Sequence, residues 1–104
     1  MIINLVRTSS DNSDFRELVR LLDEDLQIRD GDDHSFYAQF NKVDKIRHVV
    51  VAYEDEVAVG CGAVKEYEES VTEIKRMFVR AEWRGRGIAK CILSELERWA
   101  IELG

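Results

Sequence analysis

Hydrophobic and polar residues along this chain follow two rhythms, and each change of rhythm marks an element. Residues 2–6 form a short apolar run that gives way to the polar stretch 7–12, which predicts a first strand followed by a loop. From Phe15 the apolar positions Leu18, Val19, Leu22 and Leu26 recur at helical spacing. Asp14 and Glu17 stand where a capping box would start that helix, and Gly31 where it would stop. A shorter helix is predicted from near Asp33, with Phe36, Tyr37 and Phe40 on one side.

Residues 48–53 are a β-branched run, Glu54-Asp55-Glu56 is polar enough to turn the chain, and the strand pattern resumes over 57–67. After Glu68-Glu69-Ser70 it continues over 71–79, so three strands joined by short turns predict an antiparallel meander. Gly60 and Gly62 weaken a strand interior and imply a bend or the close approach of another backbone. The last element is a helix over 87–103, with Ile88, Ile92, Leu93, Leu96, Trp99, Ala100 and Leu103 as its buried stripe, opposite Lys90, Glu97 and Arg98. The order β-α-α-β-β-β-α describes an α/β (α+β) chain with a mostly antiparallel sheet.

Composition narrows the picture. A chain of 104 residues holds one domain at most, 1–104, and 45% hydrophobic with 35% charged residues is an ordinary globular balance. The net charge of −6 argues against nucleic acid as a partner, since nonspecific affinity comes from clustered Lys and Arg. No apolar run approaches the roughly 20 residues that span a bilayer, and the start lacks the basic segment and cleavage site of a signal peptide. The expectation is a cytoplasmic protein with no membrane partner. Cys61 and Cys91 sit in apolar surroundings without metal or redox spacing, which predicts two buried, reduced thiols. His34 and His48 are too few and too isolated for a metal site, so no metal is expected.

The stretch Arg84-Gly85-Arg86-Gly87-Ile88-Ala89 joins the last strand to the last helix. A helix N-terminus leaves backbone N–H groups unpaired and carries roughly half a positive charge, so an anion is stabilised there. Gly85 and Gly87 let the backbone approach that anion and permit φ > 0 in the turn. Arg84 and Arg86 add donors suited to phosphate oxygens.

This arrangement resembles the GNAT N-acetyltransferase superfamily, whose acetyl-CoA signature is Arg/Gln-x-x-Gly-x-Gly/Ala between the fourth strand and the next helix. Arg84, Gly87 and Ala89 fill its defined positions, while the proline that often precedes the arginine is missing. The resemblance implies a single acetyltransferase domain that moves an acetyl group from acetyl-CoA to an amine acceptor by direct attack, without a covalent enzyme intermediate. It implies that the loop from Arg84 to Ala89, with Gly85, Arg86, Gly87 and Ile88, holds the diphosphate. It also implies that Met77, Phe78 and Val79 pair with the pantetheine arm along a strand carrying a bulge, whose N–H faces the thioester oxygen. Glu73, on the same strand, is the candidate general base, and its simplest alternative is a surface pairing with Lys75 or Arg76. Asp23-Glu24-Asp25 with Asp30, Asp32 and Asp33 reads first as a solvated face and second as a field that draws a cationic amine.

The family continues beyond this helix with further strands and a fourth helix, which often carries a tyrosine acid for the departing thiolate. The sequence stops at Gly104, where the next strand should begin, so the resemblance implies a C-terminally incomplete version. Its rival is a non-catalytic CoA-binding or protein-interaction module that forms a homo-oligomer through an open sheet edge.

Overall fold

The computed structural model describes residues 2–30, 46–68 and 71–103. The helix predicted from Asp33, with Phe36, Tyr37 and Phe40, lies outside the described residues, as do Gly31, His34 and the turn residues Glu69 and Ser70. The described elements are β1 (Asn4–Thr8), α1 (Ser13–Asp30), β2 (His48–Glu54), β3 (Val57–Glu68), β4 (Val71–Val79), a 3₁₀ turn (Ala81–Trp83) and α2 (Ile88–Leu103). The strands form one antiparallel sheet in the order β1-β2-β3-β4, with α1 packed on one face and α2 on the other.

Because both faces are covered, β2 is apolar without alternation. Val49 and Val51 join Phe15, Leu18 and Val19 under α1, while Val50 and Ala52 join Ile88, Ile92 and Leu96 under α2. A strand buried on both sides carries a continuous hydrophobic run rather than a period of two. The β2–β3 connection is a two-residue turn in which Asp55 (φ 48°) and Glu56 (φ 72°) are both left-handed, as the twist-matched hairpin turn requires.

Several expectations are corrected. β1 begins at Asn4 and runs to Thr8, two residues later than the apolar run, because its ladder pairs Asn4 with Tyr53 and Thr8 with Val49. The cap of α1 is Asn12, whose Oδ1 accepts from the Phe15 N–H at 2.9 Å, so Asp14 and Glu17 do not form a capping box. Asp14 instead accepts from the Tyr53 hydroxyl at 2.7 Å, and Glu17 pairs with Arg20. On α2 the buried stripe is narrower than predicted. Ile88, Ile92 and Leu96 are buried and Trp99 and Ala100 half-buried, whereas Leu93 and Leu103 are exposed.

Gly60 and Gly62 are where α2 lies close over β3. A Cβ on Gly62 would meet Ile92 Cγ2 at 2.9 Å, and Leu96 Cδ1 and Met77 Cε at 3.0 Å. At Gly60 it would meet the Phe78 carbonyl at 3.0 Å and Ile92 Cδ1 at 3.1 Å. At Gly62, then, side chains approach rather than another backbone. The far end of α2 is tied to β1, where Arg7 donates to Glu95 at 2.9 Å and to Glu102 at 2.6 Å and lies over the Trp99 ring.

Candidate functional site

The site begins in β4. Opposite the single residue Gly62 of β3 stand two residues of β4, Arg76 and Met77, so the strand carries a bulge between the pairs Cys61–Phe78 and Ala63–Lys75. Arg76 takes the extra turn in the left-handed region, at φ 55°. Such a conformation costs a non-glycine residue about 1–3 kcal/mol and persists only where its surroundings hold it. Past the bulge Phe78 faces the α1 core, whereas Met77 packs with Val79 under α2.

The chain leaves the sheet under restraint. Arg80 donates from its backbone to the Val59 carbonyl at 2.9 Å and from Nε to the Ala58 carbonyl at 2.7 Å, which fixes the start of the 3₁₀ turn on β3. Gly85 and Gly87 then adopt φ of 81° and 79°, and among the described residues no atom beyond the chain neighbours lies within 4 Å of a Cβ built on either. Their requirement for glycine is therefore conformational rather than steric among the described residues.

Gly87 accepts the first bond of α2, from the Cys91 N–H at 3.1 Å, and so occupies the N-cap position. A glycine there has no side chain with which to cap the next residues. The N–H groups of Ile88, Ala89 and Lys90 lack intrahelical acceptors by the geometry of any helix start, and the dipole adds positive potential beside them. No acidic residue occupies the first turn to offset it.

These features converge on one cavity of about 380 Å³. Its wall takes Leu22 and Asp25 from α1, Met77, Phe78 and Val79 from β4, Trp83, Arg84 and Gly85 from the turn, and Gly87, Ile88 and Ala89 from the start of α2. Eight of the nine residues expected to face a nucleotide cofactor are thus brought together. Arg86 lies outside that wall, its guanidinium 4.9 Å from the centre of the Trp83 ring. Arg84 is in the wall but engaged: Nε donates to the Val79 carbonyl at 2.9 Å, the guanidinium lies over Phe78, and Nη2 is 3.9 Å from Asp25 Oδ2.

Glu73 is not in the wall. It is exposed on β4, paired across the ladder with Lys65 and 3.9 Å from Lys75 Nζ. It stands three positions before the bulge residue Arg76, about 10 Å at the usual rise. The sequence pattern does not place Leu22, Asp25 or Trp83 beside the cofactor residues. Leu22 belongs to the apolar stripe of α1 and Asp25 to its acidic run, so each already had a structural explanation.

The cysteines differ. Cys61 is fully buried, and burial pushes its thiol up to about 12. Cys91 is exposed on the first turn of α2, against the expectation of two buried thiols, because the helix turns that position to solvent. Among the described residues, no three of His, Cys, Asp and Glu gather as a metal site would need.

Comparison with known proteins bears on this geometry. The profile of the acetyltransferase (GNAT) family matches residues 14–104. The chain belongs to the GNAT family. Among solved structures it is similar to one described as "the putative acyl-CoA N-acyltransferase from Klebsiella pneumoniae subsp. pneumoniae MGH 78578". The TM-score is 0.72 at 22% identity, over 97% of this chain and 65% of that one. At that identity the likeness shows the GNAT fold alone, and this chain spans about two thirds of that protein's length. No curated protein sequence matches the chain. No helix among the described residues is long and apolar enough to cross a membrane.

Proposed function

We propose that this GNAT chain binds an acyl-CoA, acetyl-CoA in the first instance, and supports transfer of its acyl group to an amine. The observation that carries the reading is the single cavity shared by the bulged end of β4, the glycine turn and the uncapped start of α2. In this reading the N–H groups of Ile88, Ala89 and Lys90 hold the diphosphate, with Gly85 and Gly87 keeping the approach clear. Met77, Phe78 and Val79 guide the pantetheine arm. The bulge turns a backbone N–H toward the thioester oxygen, where negative charge grows as the amine attacks.

The amine arrives protonated, since its pKa lies near 10, and must lose a proton before it can attack. Glu73 takes that proton through water, the relay being needed because its carboxylate stands apart from the bulge. Attack forms a C–N bond to the carbonyl carbon, collapse of the tetrahedral intermediate breaks the C–S bond, and the second proton of the attacking nitrogen passes to the departing CoA thiolate, leaving the amide and CoA. A cytoplasmic location is part of the same proposal.

Isothermal titration with CoA tests it. Gly87→Ala carries the strain of φ 79° alone, whereas Gly87→Glu adds a carboxylate beside the helix start. Wild type is expected to bind, Gly87→Ala to bind more weakly, and Gly87→Glu to lose binding. Equal affinity of wild type and Gly87→Glu overturns the assignment. A second reading, a CoA-binding or interaction module that forms a homo-oligomer without turnover, draws support from β4 being one of the two outer strands among the described residues. Binding of CoA with no acyl transfer to any of a panel of amines would favour it.

A further inference from the structure

We propose that Cys61 is a positioning residue for acyl transfer: its thiol holds the Arg76 carbonyl, so that the N–H of the same peptide group, on Met77, faces the acyl oxygen of a bound thioester. The proposal rests on the acyltransferase reading given above.

Three independent observations meet at this peptide group. Arg76 is left-handed without being glycine, so something must hold it there. The ladder breaks at this point, with Arg76 and Met77 both opposite Gly62, so the regular pairing of β3 does not fix the orientation of the peptide between them. Cys61 Sγ donates to the Arg76 carbonyl oxygen at 3.3 Å, within range for a sulfur donor. A trans peptide is planar, and its carbonyl and N–H point in opposite directions. Anchoring the Arg76 oxygen toward Cys61 on β3 therefore sends the Met77 N–H away from β3, toward the edge of β4 that pairs with no other strand among the described residues.

The two faces of the sheet share the task. Cys61 lies under α1 among Phe15, Leu18 and Phe78, closed to solvent. On the other face Met77 drops its side chain toward the slot left by Gly62, beneath Ile92 and Leu96. Alternation in β3 puts Cys61 and Gly62 on opposite faces, so adjacent residues of one strand grip the bulge from both sides. The buried thiol keeps its proton at neutral pH and so remains a donor.

Two measurements test the role. The first needs no ligand. With the carbonyl carbons labelled, the Arg76 ¹³C resonance is expected to move in Cys61→Ala and in Cys61→Val, and to stay near its wild-type position in Cys61→Ser, which keeps a donor. Cys61→Val fills the space without a donor and serves if the alanine variant does not fold. An unmoved resonance in the donor-free variants overturns the hydrogen bond itself.

The second compares acetyl-CoA with S-ethyl-CoA, in which a methylene replaces the carbonyl. Wild type is expected to bind acetyl-CoA about fivefold tighter, the worth of one ordinary hydrogen bond. The donor-free variants should lose that preference while binding S-ethyl-CoA as well as wild type does, and Cys61→Ser should retain it. A purely structural role would weaken both ligands together. A preference that survives in the donor-free variants overturns the positioning role and leaves the acyltransferase reading standing. Failure of wild type to bind either ligand removes both.

Discussion

Replacing Gly62 by alanine tests how the sheet, the last helix and the bulge are fitted together. The new Cβ would stand 2.9 Å from Ile92 Cγ2 and 3.0 Å from both Leu96 Cδ1 and Met77 Cε. Two of these atoms end flexible side chains and can swing aside. Ile92 Cγ2 cannot, since it sits on a β-branched carbon whose rotamer the helix fixes, so relief requires α2 itself to shift. Overpacking of this kind costs about 1–3 kcal/mol. Against it stands a gain of about 0.5–1 kcal/mol from removing a glycine from a strand interior. Taking the middle of each range, the net loss is about 1.3 kcal/mol, or a fall in Tm of about 5–10 °C for a chain of this size. Thermal unfolding followed by circular dichroism reads this directly. Ile92→Leu removes the Cγ2 branch while conserving volume, so the double variant should be more stable than the sum of the single effects by about 0.5–1 kcal/mol. A Gly62→Ala protein as stable as wild type, or additive single effects, would show that α2 does not ride on β3 as closely as described.

The other predictions are simpler. Glu56 is held at φ 72° in the β2–β3 turn, so Glu56→Gly should raise stability by about 0.5–1 kcal/mol in urea denaturation, with unchanged stability refuting the strain. Hydrogen bonding from Arg7 holds the Glu102 carboxyl below its usual 4.5. A folded pKa below the unfolded one adds stability that is whole above about 4.5 and lost as pH falls through the depressed value; Glu102→Gln should flatten the acid limb of stability against pH, and an unchanged limb would contradict the pairing. A thiol reagent should modify Cys91 at once and Cys61 only on unfolding, so two fast thiols in native protein would refute the burial of Cys61. In the proposed reaction Glu73→Gln should lower kcat about a hundredfold while leaving CoA affinity unchanged; unaltered turnover would remove Glu73 as base.

Much of the frame was legible because it is written in periodicity. The limits of β4, Val71–Val79, follow the polar break before Val71 and the change of pattern at Val79, and the last helix, expected from Gly87, starts one residue later at Ile88 with Gly87 as its cap. The errors arose where the decisive partner is distant in sequence. Asp14 and Glu17 fit a local capping rule, but the contact between Tyr53 and Asp14 spans 39 residues, and Asn12 was closer to the helix start. Cys91 looked buried because its neighbours Ile88 and Ile92 are; only the rotation of α2 on the sheet decides that position 91 faces out. The location of the bulge had no local signal. Its left-handed residue is an arginine, and the cause lies across the ladder at Gly62 and Cys61.

The motif arginine illustrates how a residue type can suggest one role and the packing another. Arg84 fits phosphate oxygens by chemistry, yet its Nε holds the Val79 carbonyl, its plane covers Phe78, and its charge stands 3.9 Å from Asp25. An arginine engaged on three sides shapes the exit from β4 before it can attract an anion. Asp25 offsets part of its positive charge within the same cavity wall. The groups not so offset are the backbone N–H donors that follow Gly87, and they exist because two glycines accept φ near +80° and offer no cap. A lysine at position 84 would keep the charge but lose the flat contact with Phe78 and the geometry of the Nε donor. The arginine and the glycines thus serve one end by different means: one fixes where the strand ends, and the others leave the helix start exposed to whatever occupies the cavity.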